Sequence, residues 1–209
     1  MFFDTETTGL PKCREPAHKL KDNWPHIVSI AWILVDSKLN ILKKEYFIIK
    51  PNWEIPIESI KIHGITYEKA MKEGFELKEV LDKFWNDLSK SSCLISHNIN
   101  FDSNVLINAE MWDLQRKYPS FKKLYCTMEL SKNILQIPSH YGYKLPKLIE
   151  LYEYILKKSP KKEDLHNSLH DTEYLVEIIQ HSKELQYMLG FNLIENITTN
   201  GIQKGILYL

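Results

Sequence analysis

The sequence predicts a layered α/β domain, and the order of its apolar segments is the main evidence for this fold class. A short apolar strand at residues 2–6 is followed by two strand-like runs, at residues 26–36 and 43–51. An amphipathic helix is predicted over residues 75–88, and a short buried strand over residues 93–96. Strands that come first and then alternate with helices are typical of an α/β or α+β layered domain.

The second half of the chain is predicted to be mainly helical, and one long loop interrupts the first half. Helical spacing of apolar residues predicts helices over residues 102–116, 127–136, 145–157 and 170–187. Between the first two strands, residues 11–26 form a long loop without a periodic pattern. Long loops in compact domains are often functional, although a surface insertion explains this one equally well.

The composition excludes several classes of protein. The chain has 209 residues, of which 44% are hydrophobic and 26% charged, and these values are typical of one folded globular domain. No apolar run approaches the roughly 20 residues that cross a bilayer, so no membrane contact is expected. The formal net charge of zero argues against a protein that coats nucleic acid through bulk positive charge.

The first residues and the cysteines predict the compartment. No basic leader with an apolar stretch precedes the first strand. Cys13, Cys93 and Cys126 are far apart and odd in number, which favours free thiols in a reducing environment. We therefore expect an intracellular protein that is cytoplasmic or located in the nucleoid or nucleus, and that is not secreted.

The segment FFDTETTGL at residues 2–10 carries two carboxylates, Asp4 and Glu6, within an apolar run. Because alternate residues of a strand project from the same face, these two side chains are expected to lie side by side. If these two acidic residues were considered alone, an exposed strand end would explain them. The alternative is half of a site for Mg²⁺ or Mn²⁺, cations that prefer oxygen ligands.

Two later segments supply residues that would complete such a site. The segment SHNINFD at residues 96–102 places Asp102 where a strand ends and a helix begins, a position at which open α/β sheets bind ligands. The segment HNSLHD at residues 166–171 places His166 and Asp171, with four residues between them, at the start of another helix. Each acid taken alone is equally well explained as a helix cap. Their joint appearance in this order favours a common site.

Together these segments resemble the three motifs of the DEDDh, or DnaQ-like, 3′–5′ exonuclease family. The resemblance runs over residues 2–182, and two intervening segments, KIHGIT at 61–66 and YCTMELS at 125–131, are similar to segments of this family. A sister class carries Tyr-x-x-x-Asp in the third motif, and Asn167 at the tyrosine position disfavours that class. The resemblance implies an RNase H-like fold, an α/β architecture with a central mixed five-stranded β-sheet flanked by α-helices.

The resemblance also implies an active site with two divalent cations, Mg²⁺ or Mn²⁺. Four carboxylates would hold these cations: Asp4, Glu6, Asp102 and Asp171. His166 would be the general base, because histidine is the side chain that most readily exchanges a proton at neutral pH. His170 is a rival for that role because it adjoins Asp171, although neighbouring residues on a helix point about 100° apart.

Residues beside the motifs would bind the substrate by the same resemblance. They match family positions that grip or stack on the 3′-terminal nucleotides, and they are Thr7, His63, His97, Asn98 and Phe101. For His63 and Phe101, a role in the core is an equal alternative. The exonuclease domain is predicted over residues 1–187. Residues 188–209 form a C-terminal extension whose role stays open between polymerase docking, packing and disorder.

The implied function is a metal-dependent 3′–5′ exonuclease that hydrolyses single-stranded or frayed DNA 3′ ends and releases nucleoside 5′-monophosphates, in proofreading or repair. One alternative is an exoribonuclease that trims RNA 3′ ends with the same residues. Another is a module without catalysis that binds nucleic acid or a polymerase. The expected partners are therefore single-stranded DNA or RNA 3′ ends and a DNA polymerase.

Overall fold

A mixed five-stranded sheet forms the centre of the protein. The computed structural model describes residues 1–161 and 166–191. Its main strands are β1 (Phe2–Thr7), β2 (Ile27–Val35), β3 (Ile41–Ile48), β4 (Cys93–Ser96) and β5 (Lys123–Cys126). They lie in the order β3-β2-β1-β4-β5, with β2 antiparallel to both of its neighbours and β4 parallel to β1 and to β5. The predicted fold class is confirmed.

Eight α-helices are present in the described part of the chain. They are α1 (Ile57–His63), α2 (Tyr67–Glu73), α3 (Leu77–Ser89), α4 (Ile99–Asn108), α5 (Thr127–Leu135), α6 (Leu148–Leu156), α7 (Ser168–His181) and α8 (Lys183–Leu189). A π-helical turn, Ala109–Asp113, continues α4. A small hairpin of β6 (Pro138–Ser139) and β7 (Gly142–Tyr143) separates α5 from α6.

Strand β1 is buried on both faces, and its alternating side chains divide the hydrophobic core in two. Phe3 faces the side covered by α3, where its ring packs 5.5 Å from that of Phe84. Phe2 faces the opposite side, where it belongs to a second buried cluster that includes Val176 of α7. Because Asp4 and Glu6 share the parity of Phe2, they point towards the α7 side of the sheet.

Two predicted helices differ from those observed. The helix predicted over residues 102–116 begins at Ile99, because Asn98 in a left-handed conformation (φ 78°) already starts the turn. The helix predicted over residues 170–187 is broken at Ser182, which has an extended backbone and whose hydroxyl accepts a hydrogen bond from the Leu185 N–H at the start of α8. A serine cap therefore ends one helical run and begins another without glycine or proline.

The long loop before β2 has many exposed side chains but is anchored to the rest of the protein by a few buried residues. Its Ala17 is fully buried, donates its N–H to Asn104 Oδ1 (2.9 Å) and accepts a hydrogen bond from Trp112 Nε1 (2.7 Å). Asn23 ties the two arms of the loop together through its side chain, which contacts the backbone of Cys13 and Glu15. These buried hydrogen bonds hold the loop in one position against α4 and its π-helical turn.

The packed unit continues past the predicted domain boundary. The boundary at residue 187 falls inside α8, whose Leu189 is buried in the cluster that contains Phe2. The ring of Phe191 stacks on that of Phe2 with centroids 6.2 Å apart. Residues 192–209, most of the predicted extension, lie outside the described residues. Within the described ranges, no helix combines the length and apolar character that a membrane span needs.

Candidate active site

Strand β1 delivers the first two carboxylates of the site. Asp4 and Glu6 project from the same face, as the alternation predicted, and Glu6 lies opposite Ser29 of β2. The register between β1 and β2 shifts between Glu6 and Thr7, so that β1 leaves regular pairing immediately after the second acid. An irregularity of this kind is common next to active sites because it re-aims the neighbouring side chains.

The start of α7 brings a third carboxylate to the same place. Asn167 caps this helix, its side chain accepting hydrogen bonds from the backbone N–H groups of Leu169 and His170. The Ser168 hydroxyl lies 3.0 Å from that of Ser29 and ties the helix terminus to β2. Carboxylate oxygens of three residues consequently lie within 4.8 Å of one another: Asp4, Glu6 and Asp171.

Asp102 lies behind this cluster and is held by two hydroxyl groups. Thr5 Oγ1 donates to its Oδ1 at 2.8 Å, and Ser96 Oγ donates to its Oδ2 at 2.7 Å. The residue is 3% exposed and stands in the first turn of α4, not at the cap. Each carboxylate oxygen keeps a second lone pair, so the two hydrogen bonds orient Asp102 without excluding it as a metal ligand.

Burial raises the pKa values of all four carboxyl groups, and repulsion between carboxylates adds to it at Asp4, Glu6 and Asp171. Desolvation is the largest cause in each case. It raises the pKa of Glu6 to about 8, of Asp171 to about 7 and of Asp102 to about 6. The pKa of Asp4 is raised well above its usual range, and its three neighbouring carboxylates add to the effect of desolvation. Hydrogen bonds from the Thr5 and Ser96 hydroxyls lower the pKa of Asp102 and so oppose the effect of burial. They explain why the pKa of Asp102, about 6, is lower than those of Glu6 and Asp171.

This electrostatic situation fits a divalent cation. Within the described ranges, His170 is the one positive group among the causes of these four shifts, and it lowers the pKa of Asp171 alone. Buried carboxylates without a positive partner are costly, and proteins compensate for them with metal ions. Clustered carboxylate oxygens are the donor set that hard cations such as Mg²⁺ and Mn²⁺ prefer, whereas softer metals favour nitrogen or sulfur.

The two candidate bases occupy different positions beside Asp171. His166 lies in an exposed turn before α7 with a left-handed backbone (φ 61°), and its backbone N–H donates a hydrogen bond that lowers the pKa of Asp171. With Asp171 it lines a cavity of about 230 Å³ whose other walls are largely apolar. His170 Nδ1 instead lies 3.3 Å from Glu173 Oε2.

Two predicted substrate residues lie where β1 ends. Thr7 is buried, and its hydroxyl donates to the Gly9 carbonyl oxygen at 2.8 Å. His63, the last residue of α1, accepts a hydrogen bond at Nδ1 from the Ile65 N–H (3.1 Å). Its Nε2 is buried without a partner among the described residues, and desolvation lowers the pKa of the ring while the Thr7 backbone opposes this. A buried nitrogen without a side-chain partner near the Thr7 backbone is suited to a substrate contact.

Three further predicted substrate residues cluster between β4 and α4. Both ring nitrogens of His97 contact protein groups: Nδ1 lies 3.1 Å from the Thr127 hydroxyl, and Nε2 lies 2.9 Å from the Pro146 carbonyl oxygen. Burial lowers the pKa of His97 to about 4, so the ring is neutral near pH 7. Asn98 precedes α4, and the Phe101 ring packs 5.7 Å from that of Trp24. His97 thus holds the segment before α6 against the end of β4.

Four supporting hydroxyl residues were not identified from the sequence. Thr5 and Ser96 orient Asp102, and Ser29 and Ser168 join β2 to α7. The signal for Thr5 is its place between Asp4 and Glu6 on a strand buried on both faces, because a polar residue there requires a partner. The two serines of the second pair are 139 residues apart. No local pattern connects residues at that separation.

Comparisons with known proteins identify the family of this chain. The RNase_T family model, described as an exonuclease, matches residues 1–179. The DNA polymerase III subunit epsilon of Rickettsia prowazekii is 30% identical over 178 residues, which are 85% of this chain and 71% of that protein. Residues 1–179, which the family model matches, contain all the motif residues predicted from the sequence.

Solved structures show the same fold at lower sequence identity. A zinc-bound complex of E. coli exonuclease I with single-stranded DNA superposes with a TM-score of 0.67 and 16% identity over 90% of this chain, which spans 42% of that one. Exonuclease X in complex with a 5′-overhanging duplex DNA gives a TM-score of 0.57 at 21% identity, over 87% of this chain and 91% of that one. With the family model covering most of its length, the chain belongs to the DnaQ-like 3′–5′ exonuclease family and is a nuclease of RNase H-like fold.

Proposed function

We propose that this enzyme removes nucleotides from single-stranded or frayed DNA 3′ ends and releases nucleoside 5′-monophosphates. The observation that carries the proposal is the cluster of Asp4, Glu6 and Asp171, whose oxygens lie within 4.8 Å, with Asp102 fixed behind it. One buried and three half-buried acids with raised pKa values would be a liability in a binding module without catalysis. They suit a hydrolase that works on an anionic ester with metal ions.

The four carboxylates would hold two divalent cations, which we propose to be Mg²⁺ or Mn²⁺. Such a pair supplies charge stabilisation on both sides of a phosphodiester and lowers the pKa of attacking water. Asp4, Glu6 and Asp171 already present oxygens to one small volume. Asp102 contributes a carboxylate whose direction is set by Thr5 and Ser96, so little reorganisation is needed when ligands bind.

His166 is the proposed general base. Its exposed position beside Asp171 lets an unprotonated ring nitrogen take the proton of the attacking water and return it to solvent. The His166 backbone N–H meanwhile donates to Asp171 and keeps the turn close to the carboxylates. His170 is the weaker candidate because its Nδ1 faces Glu173.

The substrate residues would surround the terminal nucleotides. His63 Nε2 is proposed to hydrogen-bond the nucleotide at the end of β1, near Thr7, because it is a buried nitrogen without a described partner. Asn98 and Phe101 would contact the sugar and base from the start of α4. His97 would act by holding neighbouring segments in position, because both of its ring nitrogens already contact protein groups.

DNA is proposed as the substrate, and a DNA polymerase as the partner, because of the relatives. The Rickettsia prowazekii protein is a subunit of DNA polymerase III, and the exonuclease I and exonuclease X structures contain DNA. A role in proofreading or repair inside the cell follows from that relationship. Hydrolysis of RNA 3′ ends is the competing outcome, since the contact with a 2′-hydroxyl decides between them.

An end-labelled degradation assay tests the proposal. The protein should shorten a 5′-labelled DNA strand stepwise from its 3′ end in Mg²⁺ or Mn²⁺, should release 5′-monophosphates, and should be inactive in EDTA. Glu6→Gln should abolish the activity, whereas Glu129→Gln, at an exposed carboxylate of α5, should not change it. Faster degradation of a matched RNA strand would overturn the choice of DNA, and activity that survives both EDTA and Glu6→Gln would overturn the metal site.

A pair of histidine variants tests the base. His166→Ala should lose roughly 10²–10⁴-fold in single-turnover rate while it retains metal affinity, because a positioned base contributes about that much. His170→Ala serves as the matched control and should lose little. If His170→Ala were the inactive variant and His166→Ala stayed active, the assignment of the base would be wrong.

A further inference from the structure

A stacked pair of rings, His26 and Trp53, lies at the surface of the long loop before β2. The ring centroids are 4.3 Å apart and the planes differ by 12°. Both carboxylate oxygens of Asp113 lie 3.0 Å from His26 Nδ1. The Asp113 side chain is only 9% exposed, whereas that of His26 is 35% exposed. The imidazole is therefore held flat and fixed in position, with part of its surface open to solvent.

Backbone pairing places His26 close to the carboxylate cluster. The Thr8 N–H donates to the His26 carbonyl oxygen at 3.0 Å, and the His26 N–H donates to the Thr8 hydroxyl at 3.0 Å. Thr8 follows Glu6 by two residues. A rise of about 3.3 Å per residue and a strand spacing of about 5 Å put the Cα atoms of Glu6 and His26 roughly 8–10 Å apart.

The surface next to His26 combines apolar and polar groups. A cavity of about 330 Å³ lies against His26, and its walls are both apolar, from Leu10, Trp24 and Pro25, and polar, from Thr8, Lys12, Asp22 and Asn23. Leu10 is 81% exposed. A partly exposed ring beside such a cavity suits a nucleic-acid strand, because a base can stack on the ring.

We propose that the His26–Trp53 pair is a stacking platform for one base of the substrate strand. This base lies 5′ of the two nucleosides that flank the scissile phosphate. This inference rests on the proposed nuclease function. The flanking nucleosides would occupy the space beside the carboxylates, and the platform lies where the chain pairs with β1 beyond Glu6, at Thr8 and His26. Stacking tolerates any base sequence, which suits an enzyme that must move along a strand.

The π-helical turn gives the platform its rigidity. This turn, Ala109–Asp113, carries both Trp112, which is hydrogen-bonded to the loop at Ala17, and Asp113, which contacts His26. Such turns occur mostly as single insertions in α-helices and are frequent at functional sites. A ring fixed before the substrate arrives loses little entropy on stacking, so most of the contact energy is available for binding.

Substrate length separates a platform from a merely structural contact. We would measure kcat/KM of wild type, His26→Leu and His26→Phe on a DNA dinucleotide and on a longer single strand. His26→Leu should lose roughly 5- to 100-fold on the long strand, about the value of one stacked base, and should keep wild-type activity on the dinucleotide. His26→Phe should restore much of the loss because it retains a stacking ring. His18→Leu is the control, since His18 lies in the same loop with an edge contact to Tyr118.

The outcomes are distinguishable from a failure of the nuclease proposal itself. Wild type that degrades neither substrate refutes the nuclease function. Equal losses of His26→Leu on both substrates, or no loss on either, refute the platform while the nuclease function stands. A binding assay with 2-aminopurine placed along the strand, in the presence of EDTA, gives a second readout. We expect fluorescence quenching at one internal position only. We also expect this quenching to be lost in both His26→Leu and Trp53→Leu. Quenching unchanged in these variants would overturn the proposal.

Discussion

Without metal, the enzyme should lose stability as pH rises from 7 to 8. The folded pKa of Glu6 is about 8 and that of Asp171 about 7, and both lie far above the values of exposed carboxyl groups. A carboxyl group with a raised folded pKa stabilises the fold fully below its unfolded pKa, and this contribution is lost as pH rises through the folded pKa. Burial, the largest cause of both shifts, thus makes deprotonation oppose folding.

The size of the effect follows from the number of protons involved. Near pH 7 the unfolded chain keeps its carboxyl groups ionised, whereas the folded site retains about one to two protons. Each such proton changes the free energy of unfolding by about 1.4 kcal/mol per pH unit, so a decrease of about 1–3 kcal/mol is expected between pH 7 and 8. His97 and His63 have lowered pKa values and affect stability mainly at lower pH, outside this window.

Urea denaturation at several pH values, in EDTA and in saturating Mn²⁺, measures this effect. The decrease should be present in EDTA and largely absent in Mn²⁺, because a cation bound only by the folded state replaces the protons. Glu6→Gln should have a shallower pH dependence in EDTA than wild type, and Glu129→Gln should match wild type. Stability in EDTA that is constant or increases from pH 7 to 8, or an unchanged slope in Glu6→Gln, would refute the reasoning.

Three substitutions test the supporting contacts. Thr5→Val removes one hydrogen bond to Asp102, and it should lower the rate at least several-fold and cost about 1.5–3 kcal/mol of stability, the usual value of a bond to a charged group; an unchanged rate would argue against orientation of Asp102. Asn104→Ala leaves the buried Ala17 N–H unpaired and should cost about 1–3 kcal/mol and speed proteolysis of the loop. Ser182→Ala should cost about 1 kcal/mol by urea denaturation through loss of the α8 cap.

The sequence was sufficient to predict strands β1 to β4 and the longer helices, because their apolar patterns indicate which residues are buried. Strand β2 was predicted within one residue at each end, and α3 within two. Helices α1 and α2 were not predicted, because seven residues are too few for a helical period to stand out. Strand β5 was also missed, since Lys123 and Leu124 are exposed and its four residues lack an apolar pattern.

The acidic residues of the candidate site were predicted from the sequence, whereas the hydroxyl groups that support them were not. Asp4 and Glu6 share a face by strand geometry, and Asp102 and Asp171 both stand in the first turn of a helix beside the sheet. One of the two hydroxyls that orient Asp102 belongs to Thr5, 97 residues away in the sequence. Contacts at that separation depend on the packing of whole elements, and a single sequence does not encode them as a local pattern.

The site depends on the register of β1 as well as on the identity of its residues. Phe2 and Phe3 face the two halves of the core, so the strand is pinned by apolar burial on both sides. A slip of one residue would turn Asp4 and Glu6 away from α7. It would also turn Thr5 away from Asp102 and towards α7. Pairing with β2 along the strand and with β4 at Phe2 opposes such a slip. The apolar core on both faces thus holds in place an acidic cluster whose charges repel one another.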